Sequence, residues 1–260
     1  MPGGGSPQEW FYALPPITRG YLVLGLLTTI SFKLGFVAVD SLFFAWPLTW
    51  KNFEIWRLFT NFIFFGDFSF NFLISLYMLV RYSQALESNP FPADGGAREG
   101  TLADYVWFLA STAGIMCLLN IVFGTYDPPK MSMMGPMYSR WPAMASAMVF
   151  TILYTWSKRN VDAQVSFFGF RFQGFYLPWV LLIFHVLIGA SIEMDLMGIA
   201  VGHLYYFVQV ELPYTSTVFQ GKRLLYTPQW LTNALDQPPA GAAPPPPRAF
   251  VGGGRPLGRE

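Results

Sequence analysis

Charge is scarce in this chain. Asp, Glu, Lys and Arg make up 12% of its 260 residues, about half the ~25% usual in a soluble domain. The formal net charge is +1, so nothing in the balance points to a nucleic-acid partner. Cysteine is almost missing too. Cys117 is the single one, which excludes an intrachain disulfide and any zinc site built from thiolates. The two histidines, His185 and His203, are distant in sequence and make a poor metal set, so no metal or other cofactor is expected. The N-terminus lacks a basic start followed by a short apolar core and a small-residue cleavage site. The first apolar span is therefore expected to act as a signal anchor. No internal repeat is visible, which argues against a carrier with broken helices in two matching halves.

Apolar residues are abundant. The chain is 53% hydrophobic and 18% aromatic, with mean hydropathy +0.37. This composition describes an all-α polytopic membrane protein. A bilayer core takes about 20 mostly apolar residues per helix, and six spans meet or approach that length: 18–39, 58–82, 102–123, 140–157, 173–192 and 195–211. The fourth and sixth are short. The second contains "FGDFSFNF", which puts Asp67 and Asn71 inside it. Polar residues within a span usually face the bundle interior or water, so Asp67, Asn71 and Gln84 are candidates for a polar path.

An even number of spans leaves both termini on one side. That side holds Arg19 near the N-terminus and Arg81, Arg98, Lys158, Arg159 and Arg171 in its internal loops, and the tail adds Lys222, Arg223, Arg248, Arg255 and Arg259. The opposite side holds Lys33, Lys51, Arg57, Lys130 and Arg140. The bias places both termini in the cytosol. The chain then divides into a cytosolic N-terminus (1–17), a membrane domain (18–211), a juxtamembrane segment (212–236) and a Pro/Gly-rich disordered tail (237–260).

Trp46, Trp50 and Phe53 recur at helical spacing between the first two spans. Trp rings favour the headgroup region, so this loop is expected to lie in the membrane surface. After the sixth span, Thr227 reads as an N-cap with Pro228 at the first helical position. Trp230, Leu231, Ala234 and Leu235 would form the apolar side of a short surface helix.

"DLMGIAVGHLYYF" (195–207) poses the question of catalysis. Intramembrane serine hydrolysis needs a serine, a base within reach and an oxyanion site. His185 and His203 are the available bases, and Ser75, Ser111 and Ser146 the serines most buried by pattern. None of these serines lies in Gly-x-Ser-Gly or Gly-x-Ser-x-Gly. Gly198 and Gly202 are four residues apart, on one helix face, where they let another helix approach. His203 reads more readily as an interhelical hydrogen-bonding side chain.

Several stretches in order resemble the derlin family of rhomboid-like proteins: "PPITRGY", "KLGF", "IWRLFTNF", "VSFFGFRFQGFYLPWVLL", "LMGIAVGHLYYF" and "LLYTPQWL". The resemblance implies a rhomboid-like six-transmembrane-helix bundle. Trp56 and Arg57 look like the family's Trp-Arg motif in the first luminal loop, and Gly198 and Gly202 like its sixth-helix glycine motif. Active rhomboids carry the catalytic histidine three residues before the first of these glycines. Asp195 stands there instead, which implies a pseudoprotease and no enzyme. The tail is similar to an SHP box, F-x-G-x-G-x-x-L, at Phe250, Gly252, Gly254 and Leu257, a motif that binds the valosin-containing-protein type AAA ATPase in other proteins.

The resemblance implies a retrotranslocation factor of endoplasmic-reticulum-associated degradation, multi-pass in that membrane. Its expected partners are the ATPase, misfolded luminal or membrane clients, a ubiquitin-ligase complex, membrane lipid, and further derlin copies in a homo- or hetero-oligomer. An intramembrane serine protease and a membrane scaffold that only tethers the ATPase are the alternatives.

Overall fold

A capping box opens the first helix. Ser6 Oγ accepts the Glu9 amide while the Glu9 carboxylate accepts the Ser6 amide, so two of the helix's orphan donors are satisfied reciprocally. The computed structural model describes residues 6–91, 100–123, 141, 143–215 and 225–236. In chain order these form α1 (Pro7–Ala13), α2 (Pro16–Lys33), α3 (Val39–Leu42), α4 (Trp46–Lys51), α5 (Arg57–Ile63), α6 (Phe70–Ser88), α7 (Leu102–Phe123) and α8 (Ala145–Arg159). A hairpin of β1 (Gln164–Phe167) and β2 (Phe170–Gln173) follows, then α9 (Leu177–Leu187), α10 (Glu193–Tyr206), α11 (Leu212–Thr215) and α12 (Gln229–Leu235).

The core is built around α8. From Ala147 to Thr155 nearly every side chain of this helix is buried, because α6 and α10 pack against it and α5, α7 and α9 add further contacts. α7 behaves differently. It is the one described helix long and apolar enough to cross a bilayer, with mean hydropathy 2.0 over its apolar window, of which only 22% is buried. Its apolar residues are spread all round, as suits a helix whose outer surface meets lipid.

The expected spans are redrawn in four places. The first ends at Lys33, with Gly35 at φ 75 beyond it, and Val39 already belongs to α3. The second is broken: α5 ends at Ile63 and α6 begins at Phe70, with Gly66 at φ 87 between them. That left-handed turn favours glycine, and it puts Asp67 outside both helices. The fifth shrinks to the 11 residues of α9, because Gln173 closes the hairpin, Gly174–Tyr176 forms a tighter 3-10 turn, and Gly189, at φ 72, ends the helix. The sixth is longer than expected. α10 runs on through a π-helical turn at Phe207–Glu211 into α11.

A buried polar chain fixes α2 to α6. The Glu87 carboxylate accepts the amides of Ile17 and Thr18 at 2.8 and 2.7 Å, and the Thr18 hydroxyl at 2.7 Å. A carboxylate at a helix start satisfies open N–H groups and complements the helix dipole. Thr18 and Ser83 hydroxyls meet at 2.7 Å, and Ser83 and Tyr105 at 2.6 Å, extending the chain to α7. The C-terminal helix is also docked rather than free. Thr227 spends its hydroxyl on Asp104, at 2.5 Å, so it does not cap α12, which starts at Gln229. Leu231 is buried, whereas Trp230 and Leu235 are exposed.

Candidate functional site

Three helices converge on Asp195. It lies in the first turn of α10 and is fully buried. Ser146, in the first turn of α8, donates its hydroxyl to Asp195 Oδ1 at 2.9 Å. His185 Nδ1, from α9, meets Asp195 Oδ2 at 2.5 Å, with the Phe150 ring packed edge-on to the imidazole. The carboxylate thus stands between the serine and the histidine. A serine nucleophile needs a base that takes its proton; here the imidazole is spent on the far oxygen of Asp195. His203 is engaged elsewhere, with Nδ1 2.7 Å from the Tyr154 hydroxyl. Ser111 donates to the Phe108 carbonyl, and Ser75 is buried in α6. Among the described residues, no histidine is hydrogen-bonded to a serine.

Above this triad, α10 and α8 run in close backbone contact. A Cβ on Gly198 would overlap the Ala147 carbonyl and Phe150, and one on Gly202 would crowd Thr151 and Tyr154 at 3.2 Å. The Thr151 hydroxyl donates to the Gly198 carbonyl at 2.9 Å, a cross-helix bond that only this close approach allows.

Arg57 organises the other end. It is buried to 5% exposure, although it is the first residue of α5. Its guanidinium donates to Glu54 Oε2 at 2.5 Å, to the Phe43 carbonyl at 2.8 Å and to the Asp40 carbonyl. The fixed fork of donors suits such a bundle of acceptors. The hydrogen bond from Arg57 holds the Glu54 carboxyl below its ordinary range. Trp56 is half exposed and donates its indole N–H to the Ser41 carbonyl at 3.3 Å. The two residues therefore fasten 40–43 to the start of α5. Outside this anchor the loop is apolar and open: Trp50 and Phe53 are 73% and 79% exposed, and Trp46 stacks on Trp50.

A family model described as Der1-like matches residues 14–229. The chain belongs to that family. It is 36% identical over 231 residues to Derlin-1 of Arabidopsis thaliana, a match covering 88% of this chain and 77% of the relative. It is 33% identical over 231 residues to a probable derlin-2 homologue of Dictyostelium discoideum, covering 88% and 83%. With Derlin-2.1 of Zea mays the identity is 32% over 252 residues, covering 96% and 94%. As a Der1-like chain it is a membrane protein.

The side of this Der1-like bundle opposite the glycine seam is less tightly closed. α6 and α9 do not pack along their lengths. The rings of Phe70 and Phe184 meet at 6.4 Å, and the hairpin tip lies with them: Phe168 is 6.3 Å from Phe70 and 5.6 Å from Phe184, and Phe167 is 5.4 Å from Phe184. Gln84 lines a cavity of about 300 Å³ with Arg81, Ser88 and Trp156. Asn71 stands half-buried in the first turn of α6, its amide oxygen buried without a hydrogen bond. Asp67 is apart from both, exposed and paired with Lys33 at 2.8 Å. The three residues singled out from the sequence thus do not form one cluster. Phe250, Gly252, Gly254 and Leu257 lie outside the described residues.

Sequence reasoning named His185, Ser146 and Asp195 separately and missed their union. Two of the three sit one helical turn or less inside a helix start, and the pairing spans 49 residues for Ser146 and 10 for His185. The hairpin was missed as well. Its signal was there: Val165 and Phe167 alternate with polar neighbours, Phe170 and Phe172 do the same, and Gly169 follows Phe168 at the turn.

Proposed function

We propose that this Der1-like chain is a retrotranslocation factor of endoplasmic-reticulum-associated degradation, crossing that membrane six times with both termini in the cytosol. It moves misfolded luminal or membrane clients across or out of the bilayer and does no bond chemistry itself. The observation that carries the reading is the contrast between a fused α8–α10 seam and a side, between α6 and α9, filled by aromatic rings of a hairpin. Such a side can open laterally to a client segment while the rest of the bundle stays intact.

The helices favour this use. α8 has 15 residues and α9 has 11, or roughly 22 and 16 Å at 1.5 Å per residue. Both are short for a hydrocarbon core of about 30 Å. A short span thins the surrounding bilayer at a cost of fractions of a kcal/mol per Å, and the exposed rings of Trp50 and Phe53 disturb the same region from the surface. Asn71 and Gln84 give polar groups to a segment entering along α6. The work is done by ATP hydrolysis in a valosin-containing-protein type ATPase held by Phe250, Gly252, Gly254 and Leu257. A short flexible tether raises its local concentration to the millimolar range. A ubiquitin-ligase complex and further derlin copies complete the assembly.

Turnover of a misfolded membrane client in cells tests the whole reading. Wild type restores it in cells lacking the protein; Gly202→Leu and Phe250→Ala/Leu257→Ala each fail, and the latter no longer retains the ATPase. If the tail variant alone fails, the chain is a tether. Client cleavage by wild type that Ser146→Ala abolishes would establish a protease instead.

A further inference from the structure

Between α6 and the hairpin lies a second cavity, of about 440 Å³, with walls from Tyr77, Arg81, Trp156 and β1. All four residues of β1 line it, and no residue of β2 does. The cavity therefore runs along the edge of β1 that β2 leaves unpaired. We propose that this edge is a docking site for an extended polypeptide segment carrying an acidic side chain, which adds to the hairpin as a third strand. The inference rests on the client-handling function proposed above and names a site toward the cytosolic side of the bundle where a client segment is held.

The register shows which groups are available. Phe167 pairs with Phe170 across the two-residue turn of Phe168 and Gly169, both at positive φ, and Ser166 faces Arg171. In an antiparallel hairpin closed this way, hydrogen-bonded and non-bonded pairs alternate. Phe167 and Val165 turn their N–H and C=O groups toward β2. Gln164 and Ser166 turn theirs outward, along the cavity, and both residues are exposed. Among the described residues none of these four backbone groups has a hydrogen-bond partner. A two-stranded hairpin with an open edge is a template for strand addition.

The occupant follows from the chemistry of the walls. The edge offers donors and acceptors in alternation. An extended peptide matches both, while a lipid phosphate matches only the donors and is repelled by the carbonyls. Arg81 is exposed and makes no ion pair among the described residues, so it supplies a cation for a carboxylate on the incoming strand. Tyr77 and Trp156 give flat apolar surface beside it. At about 3.4 Å per residue, the four residues of β1 hold a segment of similar length. Val165 and Phe167 are half-buried on the core side, which keeps the edge fixed in place.

The test uses the full-length protein in phosphatidylcholine nanodiscs and a photoreactive, β-prone hexapeptide with a central aspartate. Wild type is expected to capture the peptide. A version N-methylated at alternate backbone nitrogens loses about two edge hydrogen bonds, so its capture falls about tenfold. Ser166→Pro removes an outward donor and spares the β1–β2 ladder, because proline is tolerated at a strand edge; it should weaken capture similarly. Arg81→Gln should weaken capture of the aspartate peptide and leave an asparagine version unchanged. Equal capture of the N-methylated peptide by wild type overturns strand addition, whatever the variants do. Displacement of the peptide by phosphatidylserine in the discs shows a headgroup site and overturns it too. Capture intact in a protein that does not support client turnover would sink the function and leave this site standing. Turnover without capture would sink this inference alone.

Discussion

The two sides of the bundle are closed by opposite means. Along α8 and α10, glycine brings backbone against backbone, and a threonine hydroxyl bonds directly to the facing carbonyl. Between α6 and α9, four phenylalanine rings from three elements fill the space, and the two helices do not pack along their lengths. At Gly198 the contact has no room for an added atom. Ring contacts are made between side chains, which can repack without moving a helix backbone. Under the proposed function the seam would set the frame, and the aromatic side would be the part that opens.

The contrast breaks most sharply at Gly198. A leucine there would have to displace the Ala147 carbonyl and Phe150. Overpacking costs about 1–3 kcal/mol where side chains can adjust, and more than about 3 kcal/mol is expected here because backbone must move. Thermal unfolding in detergent should show a variant that does not hold its fold. Gly202→Ala meets its neighbours only at 3.2 Å and should unfold close to wild type.

Asp195→Ala comes next. It leaves the buried His185 and the half-buried Ser146 without their shared partner. Unsatisfied buried polar groups cost about 1–3 kcal/mol each, so a loss of roughly 3 kcal/mol is expected, measured by the same unfolding curve. Asp195→Asn keeps the shape and one acceptor and should lose less. If the alanine variant unfolds like wild type, the triad is not a structural tie between α8, α9 and α10.

Much of the seam was legible in the sequence, because Gly198 and Gly202 lie on one helix and their spacing alone puts them on one face. The long-range parts were not. Glu87 bonds amides 69 and 70 residues away, and nothing in the local pattern says which helix start a lone glutamate will reach. The broken second span was hidden because Gly66 sits in a run of aromatics that reads as continuous by hydropathy. The hairpin was hidden for a different reason: it falls between the fourth and fifth spans, and its strands have only four residues each, too short for their alternation to stand out from a loop.

On the aromatic side the expected effects are smaller. Phe168→Ala removes ring contacts to Phe70, Phe167 and Phe184 at a tip that is 60% exposed. Aromatic pairs contribute about 0.5–1.5 kcal/mol each beyond burial, and the exposure of the tip keeps the total near 1 kcal/mol. The variant should unfold at nearly the wild-type temperature. A cysteine pair placed at the exposed Leu73 and Ile183, which keeps all four rings, should cross-link over a wider range of reagent lengths than in the parent, which reports a looser gap. Equal cross-linking would mean that the hairpin tip does not hold α6 and α9.

The smallest effect belongs to the loop anchor, which sharpens the comparison by separating loop from seam. The Arg57 guanidinium holds the Glu54 carboxyl below its ordinary range. A carboxyl with a depressed folded pKa adds stability above its unfolded pKa and loses it as pH falls through the folded value. The anchor of 40–43 should therefore be unchanged from neutral pH down to the ordinary glutamate range near 4.3, and loosen below it. Trp56 reports the change, since its indole donates to Ser41 beside the anchor: its fluorescence, read in a variant with the other tryptophans replaced, should shift at acid pH. Glu54→Gln should abolish that shift while the α8–α10 seam, followed by hydrogen exchange of the Gly198 and Gly202 amides, stays protected in both proteins. A shift that persists in Glu54→Gln would assign the acid sensitivity to another carboxylate and leave Arg57 held by the Asp40 and Phe43 carbonyls alone.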